Sequence, residues 1–100
     1  MPVVFDYLGL IFRFYSAEHY PIHIHVQRGE FESVYDLIIV NNMLVELKRR
    51  KKRGVEHLSV SDAKKAEEFI RANWDKIAKK WADYFVLNIP IKSVKITKKI

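Results

Sequence analysis

The apolar residues of this chain change their spacing once, from every second residue to every third or fourth, and that change most constrains the fold. Ile22, Ile24 and Val26 alternate with polar residues, which is typical of a β-strand with one buried face. Beyond residue 59, apolar side chains form one helical stripe that consists of Ala63, Ala66, Ile70, Trp74, Ile77, Trp81 and Phe85. We therefore predict strands in the first half of the chain and one long helix in the second.

Short strand patterns fill the first half of the chain. Besides residues 22–27, apolar or alternating segments lie at residues 3–5, 9–15, 33–40 and 43–48. Gly29-Glu30 and Asn41-Asn42 have the composition of tight turns, because glycine and asparagine tolerate a positive φ. These segments predict an antiparallel meander of four or five strands. Six adjacent cations at residues 48–53 cannot all be buried, so we predict an exposed loop over residues 48–58.

The helical half of the chain predicts how the domain is assembled. Ser59 or Ser61 can cap the helix, and Asn73, in the middle of the stripe, predicts a kink or a break. Packing the stripe on the apolar face of the meander yields a two-layer α+β domain over residues 1–86. The basic tail, residues 87–100, is consistent with an edge strand or a free arm. This packing leaves His23 and His25 on the polar face, at solvent or along a groove.

The net charge of +6 is unevenly distributed along the chain. Residues 1–47 carry −4, residues 48–53 carry +6 and residues 54–100 carry +4. A positive side of this kind favours a negatively charged partner. The chain has no cysteine, which excludes disulfides and thiolate metal sites, and no apolar run approaches the ~20 residues of a membrane span. We expect a cytoplasmic protein that has no membrane contact.

Four segments of the chain together resemble one known family. They are the Met-Pro start, FRFYS at residues 12–16, EHYPIHIHV at 18–26 and NWDKIAKKWADYF at 73–85. In this order they are similar to the small bacterial and archaeal proteins of the domain of unknown function 4160 family, over residues 1–86. That family has no established activity. The resemblance implies a shared fold and, because its genes often lie beside another small gene, a component of a toxin–antitoxin-like pair.

Three histidines, His19, His23 and His25, are the first candidates for a functional site. On a strand, His23 and His25 share a face with side chains roughly 6–7 Å apart, so both imidazoles could reach one metal ion. His19 would add a third nitrogen, and Glu18 or Glu30 an oxygen. This donor set suits one zinc-like divalent ion that could activate water. The alternatives are functional histidines without a metal, or exposed histidines that are hydrogen-bonded to their neighbours.

The second candidate site is the basic run, which comprises Lys48, Arg49, Arg50, Lys51, Lys52 and Arg53. Lysine and arginine neutralise phosphates without any particular geometry, so RNA or DNA is one predicted partner. A small acidic protein is another, and a loop that is merely solvated is the third interpretation. Arg13 would join this site if its strand lies beside the histidines and the basic run.

These features favour a small binding or regulatory module without a cofactor over an enzyme. In this hypothesis the basic run contacts nucleic acid or an acidic partner protein, and His23, His25 and Arg13 form a local site. One alternative is a metal-assisted, RNase-like hydrolase with His19, His23 and His25 as ligands and a glutamate, Glu18 or Glu30, as base. The other alternative is a purely structural protein-interaction domain.

Overall fold

Six strands and one helix make up the computed structural model, which describes residues 2–14 and 22–99. The strands are β1 (Val3–Tyr7), β2 (Leu10–Arg13), β3 (Ile22–Arg28), β4 (Phe31–Val40), β5 (Met43–Lys51) and β6 (Val94–Ile96), and the helix α1 spans Val60–Phe85. These strands form one sheet in the order β5-β4-β3-β2-β1-β6. The predicted α+β class is confirmed.

Strands β1 to β5 form an antiparallel meander, because each strand pairs with the next one along the chain. Asn41 and Asn42 connect β4 to β5 with φ angles of 51° and 62°, the backbone that a two-residue hairpin loop needs. Gly29 has a φ of 58° in the turn between β3 and β4. Both predicted turns are confirmed. The first sets the register of β3 with β4, and the second sets that of β4 with β5 up to Ile39, where the register shifts by one residue.

A buried aromatic side chain that the predicted stripe omitted, Phe69, joins the helix to the sheet. Its ring centroid lies 5.1 Å from that of Phe5, 4.6 Å from that of Tyr7 and 4.9 Å from that of Phe12. All four side chains are at most 3% exposed. Aromatic pairs at such distances contribute about 0.5–1.5 kcal/mol beyond the area that they bury. Phe69 therefore packs α1 against β1 and β2.

The predicted stripe also lies in this core. Its buried members are Ala63, Ala66, Ile70, Ile77 and Trp81, and its partly buried members are Trp74 and Phe85. Asn73 interrupts the helix with a φ of −128° and a ψ of 17°, which confirms the predicted kink. Its Nδ2 donates a hydrogen bond of 3.0 Å to the Phe69 carbonyl. No helix in residues 2–14 and 22–99 is long and apolar enough to cross a membrane.

Strand β5 is longer than predicted, and most of the basic run is therefore not a loop. Residues 48–51 belong to β5 and pair with β4. Alternation along an edge strand sends neighbouring side chains to opposite faces of the sheet, so each cation reaches water while the backbone stays paired. The prediction of a loop over residues 48–58 was wrong for residues 48–51. Residues 52–58 have no regular secondary structure, as predicted.

The basic tail contributes a short strand at the other end of the sheet. β6 pairs in parallel with β1, and the Leu8 amide donates a hydrogen bond of 3.2 Å to the Ile96 carbonyl. Of the two predicted alternatives, an edge strand and a free arm, the edge strand is the one observed.

Replacement of Phe69 by alanine removes the ring contacts with β1 and β2 and leaves a cavity. We expect the free energy of unfolding to fall by about 3–5 kcal/mol, the usual result of truncating a buried phenylalanine. Val60 lies in the first turn of the same helix and is 88% exposed, so Val60→Ala is the control and should change stability by less than about 0.5 kcal/mol. Urea unfolding measures both variants. Similar losses in the two would contradict the packing.

Candidate functional site

The face of the sheet opposite α1, which we call the open face, brings several of the predicted residues together. Its polar members include Arg13, His23, His25, Gln27, Glu32, Asp36, Lys48 and Arg50. Residues that lie directly opposite each other on neighbouring antiparallel strands share a face. Arg13 on β2 lies opposite His25 on β3. Val34 on β4 lies between His25 and Arg50 and is opposite both, so one row links three of the predicted residues.

His23 and His25 are buried on the open face, since each is 8% exposed. Of the two predicted alternatives, solvent and a groove, direct exposure to solvent is therefore not the one observed. β3 is a central strand with β2 and β4 on either side, and the Glu32 side chain from β4 contacts the His25 imidazole. The two ring centroids are 6.0 Å apart, which confirms the spacing predicted for two residues on one face of a strand.

Glu32 is the carboxylate that contacts His25. Its Oε2 lies 2.7 Å from His25 Nδ1 and 3.3 Å from Lys52 Nζ. Glu32 is only 2% exposed, and a buried carboxylate needs partners that offset its lost hydration. A hydrogen bond from Nδ1–H to Glu32 also sets the orientation of the ring and leaves Nε2 as the nitrogen that can accept a proton.

Burial lowers the pKa of His25 below its ordinary value of 6.5, and this effect outweighs the hydrogen bond and charge of Glu32, which raise the pKa. The charges of His23 and Lys52 lower the pKa further. At neutral pH, His25 is therefore a neutral imidazole that donates to the Glu32 carboxylate rather than a full ion-pair partner. An oriented, neutral imidazole is the form required of a general base or a metal ligand.

The metal site stays a prediction. Within the described residues, no group of three or more His, Asp or Glu side chains lies close enough together to hold a metal ion. His19 and Glu18, two of the predicted donors, lie outside the described residues. Glu30, another predicted donor, is exposed in the turn after β3. The carboxylate next to His25 is that of Glu32, which the sequence had not suggested.

On the open face, two cations of the basic run are paired with buried carboxylates. Arg50 donates two hydrogen bonds of 2.8 Å to Asp36, one from Nε and one from Nη2, and this bidentate contact raises the pKa of Arg50. Asp36 is 8% exposed. Lys52 contacts Glu32 from the segment that follows β5. These two cations therefore stabilise carboxylates that the sheet would otherwise leave without compensation.

The remaining cations of the basic run are exposed. Arg49 lies on the helix side of β5, opposite the buried Tyr35. Lys51 also lies on that side, with its Nζ 3.5 Å from Glu56 Oε1. Alternation along β5 thus divides the basic run between the two faces of the sheet edge.

Two acidic residues of the open face, Glu32 and Asp36, were missed by the sequence analysis. The sequence contains the information that places them there. A two-residue turn at Gly29-Glu30 places residue 28 opposite residue 31 and residue 27 opposite residue 32. This register puts Glu32 on the same face as His25. Reading the hairpin register from the turn would therefore have predicted the carboxylate.

Ser33 was also missed, and it attaches the segment after β5 to the sheet. The residue is fully buried, and its Oγ lies 3.0 Å from His57 Nδ1 and accepts a hydrogen bond of 3.2 Å from the Leu58 amide. The Glu32 amide donates a hydrogen bond of 2.9 Å to the Glu56 carbonyl next to it. These contacts hold the end of the basic run close to β4.

The lowered pKa of His25 makes stability depend on pH. The folded protein binds a proton on His25 less readily than the unfolded chain, whose imidazole has a pKa of 6.5. Stability from this group is therefore complete above pH 6.5 and is lost as the pH falls from 6.5 towards the folded-state pKa. We expect the free energy of unfolding to decrease below pH 6.5, and His25→Gln to reduce that decrease. Urea titrations over this pH range measure the effect.

An NMR titration of the imidazoles provides the direct readout. A pKa of His25 at or above 6.5 in the folded protein would contradict this account. His57→Gln removes a histidine that contacts Ser33 rather than Glu32, so this control should leave the pKa of His25 unchanged.

Comparison with known proteins places this arrangement in a family. No curated protein and no solved structure matches the chain. The profile of the family described as Domain of unknown function (DUF4160) matches residues 9–82, which include β2 to β5 and most of α1. The match thus contains the open face and the whole basic run. Because it covers more than half of the chain, the protein belongs to the DUF4160 family.

Proposed function

We propose that the protein is a binding module that docks an acidic segment of a partner protein along β5. The observation that carries this proposal is the position of the basic run, most of which lies on an edge strand. Pairing with β4 holds the backbone of that strand, so its cations have a defined spacing before a partner binds. Such pre-organisation lowers the entropic cost of association. A toxin–antitoxin-like complex with a small acidic protein is one form that this binding would take.

The basic run carries more positive charges than the carboxylates that form salt bridges with it can neutralise. Among the described residues, its six cations form salt bridges with three carboxylates, those of Glu32, Asp36 and Glu56. Glu56 has a side chain that is 78% exposed, so its contact with Lys51 contributes little and can be exchanged for a carboxylate of the partner. The excess charge would also steer an acidic partner towards this edge and raise the association rate at low salt.

The arrangement of the cations favours an acidic polypeptide over RNA or DNA as the partner. The cations of β5 alternate between two faces, whereas a nucleic-acid strand is tracked by a continuous positive groove. Arg50 and Lys52 already contact buried carboxylates, so the exposed cations of the run are the ones that a partner would meet. An extended peptide can instead place carboxylates on both sides of the sheet edge, because its side chains alternate in the same way.

The alternative function is a metal-assisted, RNase-like hydrolase that uses the histidines. The contact of 2.7 Å between His25 Nδ1 and Glu32 Oε2 favours it, because a general base needs a defined tautomer and orientation. However, an exposure of 8% leaves His23 and His25 little surface with which to reach a phosphodiester. Partner binding along β5 uses residues that are exposed, and we therefore place it first.

Four cations of the basic run can be neutralised without disturbing its two buried ion pairs. The site variant replaces Lys48, Arg49, Lys51 and Arg53 by glutamine and keeps Arg50 and Lys52 on their carboxylates. We expect its affinity for a glutamate-rich peptide to fall by about tenfold or more, since exposed ionic contacts contribute about 0.2–1 kcal/mol each. Fluorescence anisotropy of the labelled peptide over a salt series measures the loss.

A matched control distinguishes the loss of charge in the basic run from the loss of the same charge elsewhere on the protein. It carries four glutamine substitutions, as the site variant does, at exposed lysines outside the basic run, namely Lys76, Lys92, Lys98 and Lys99. The control should bind the peptide nearly as well as the unchanged protein does. Equal losses in the two variants would contradict a site on β5. Tighter binding of a single-stranded RNA than of the peptide, with a steeper salt dependence, would replace the proposal by a nucleic-acid-binding function.

A further inference from the structure

β5 ends the sheet, and among the described residues no strand lies beside its outer edge. In an edge strand, the N–H and C=O groups of alternate residues point away from the sheet and can pair with another chain. β5 contains nine residues, whereas β6, the strand at the opposite end of the sheet, contains three. The β5 edge is therefore long enough to accept an added strand. Its pairing with β4 is regular over residues 46–51 and shifts by one residue between the Glu46 and Leu44 pairs.

The two halves of β5 differ in their chemistry. The first half carries the apolar side chains of Met43 and Val45, which are 61% and 59% exposed. The second half carries the cations of residues 48–51. A strand that complements β5 would therefore be apolar over one half of its length and acidic over the other.

A groove beside β5 would receive side chains of such a strand. It has a volume of about 570 Å³ and lies between β5 and the first turns of α1. Its charged lining consists of three cations, Arg49, Lys64 and Arg71, and two glutamates, Glu67 and Glu68, so the groove has one more positive than negative side chain. Strand-addition sites in general combine a free backbone edge with pockets for alternate side chains.

We infer that β5 takes an extended segment of a partner protein as an added antiparallel strand, with acidic residues opposite residues 48–51 and apolar residues opposite residues 43–45. The inference rests on the proposed function and specifies how the partner binds. Antiparallel pairing is favoured because it is slightly more stable per residue than parallel pairing. In that direction, the acidic half of the segment comes first in its own sequence.

A second copy of this chain fits the β5 edge less well than an acidic segment does. Consecutive cations on an edge strand are a common device against pairing with like strands. Pairing of two β5 strands would also bring two basic runs into one sheet. The charge of the edge therefore favours a partner of opposite sign.

Two N-methylated isomers of one peptide test the strand geometry. The parent peptide has nine residues, the length of β5, with four consecutive glutamates in its first half, whose side chains alternate between the two faces, and valine and threonine alternating in its second. One isomer carries N-methyl groups at its odd positions and the other at its even positions. In an extended strand, the methyl groups then block one edge or the opposite edge. Charge stays the same in both isomers, and the number of methyl groups is matched by leaving the first residue unmodified.

We expect one isomer to bind the full-length protein like the parent peptide and the other to lose about tenfold or more in affinity, which corresponds to about 1.4 kcal/mol. Calorimetric titration measures all three affinities. Equal affinities of the two isomers would overturn strand addition but leave the binding of an acidic partner intact. Failure of the parent peptide to bind would overturn both proposals. Tighter binding of the parent sequence in reverse order would overturn the antiparallel direction.

Discussion

The register of the two hairpins that join β3, β4 and β5 is the constraint on which the rest of the structure depends. Gly29 and the pair Asn41-Asn42 adopt the left-handed backbone that short hairpin turns require, and a one-residue register shift between Ile38 and Ile39 completes the alignment of β5 with β4. A slip of one residue would move Ile24 out of the core and turn His25 into it. The register that fills the core therefore also assembles the open face. The same strand register therefore determines both the packing of the core and the arrangement of the candidate site.

The basic run has two roles that can be separated residue by residue. Arg50 and Lys52 stabilise the buried carboxylates of Asp36 and Glu32, so they contribute to the fold itself. The other cations of the run lie in water and carry the charge excess that a partner would meet. The cations of β5 are divided between two faces and contact a carboxylate on each, Asp36 on the open face and Glu56 on the helix side. Like-charge repulsion therefore does not prevent β5 from pairing.

The sequence predicts most of the fold through its local patterns. The strand and helix periods, both hairpin turns and the kink at Asn73 each depend on a few neighbouring residues and are confirmed. Phe69 was missed because it lies beside the predicted stripe, and only the ring positions of β1 and β2 show that the buried face is wider. The length of β5 was missed because repulsion within the run was weighed without the carboxylates of β4, which offset it.

The candidate site could be predicted only in part, because its properties depend on contacts between strands. The spacing of His23 and His25 on one face follows from strand alternation and is confirmed. Their burial depends on side chains from neighbouring strands, among them Glu32, and no local pattern near the histidines indicates it. The hairpin register, derived from the turn at Gly29-Glu30, would have placed Glu32 on the same face as His25.

Amide hydrogen exchange of the free protein at residues 48–51 tests the central claim most directly, namely that the basic run is part of an edge strand. In such a strand, alternate amides donate to β4 and the others face water. The structure therefore predicts slow and fast exchange at alternating residues. Uniformly fast exchange over these four residues, as in a solvated loop, would contradict the account.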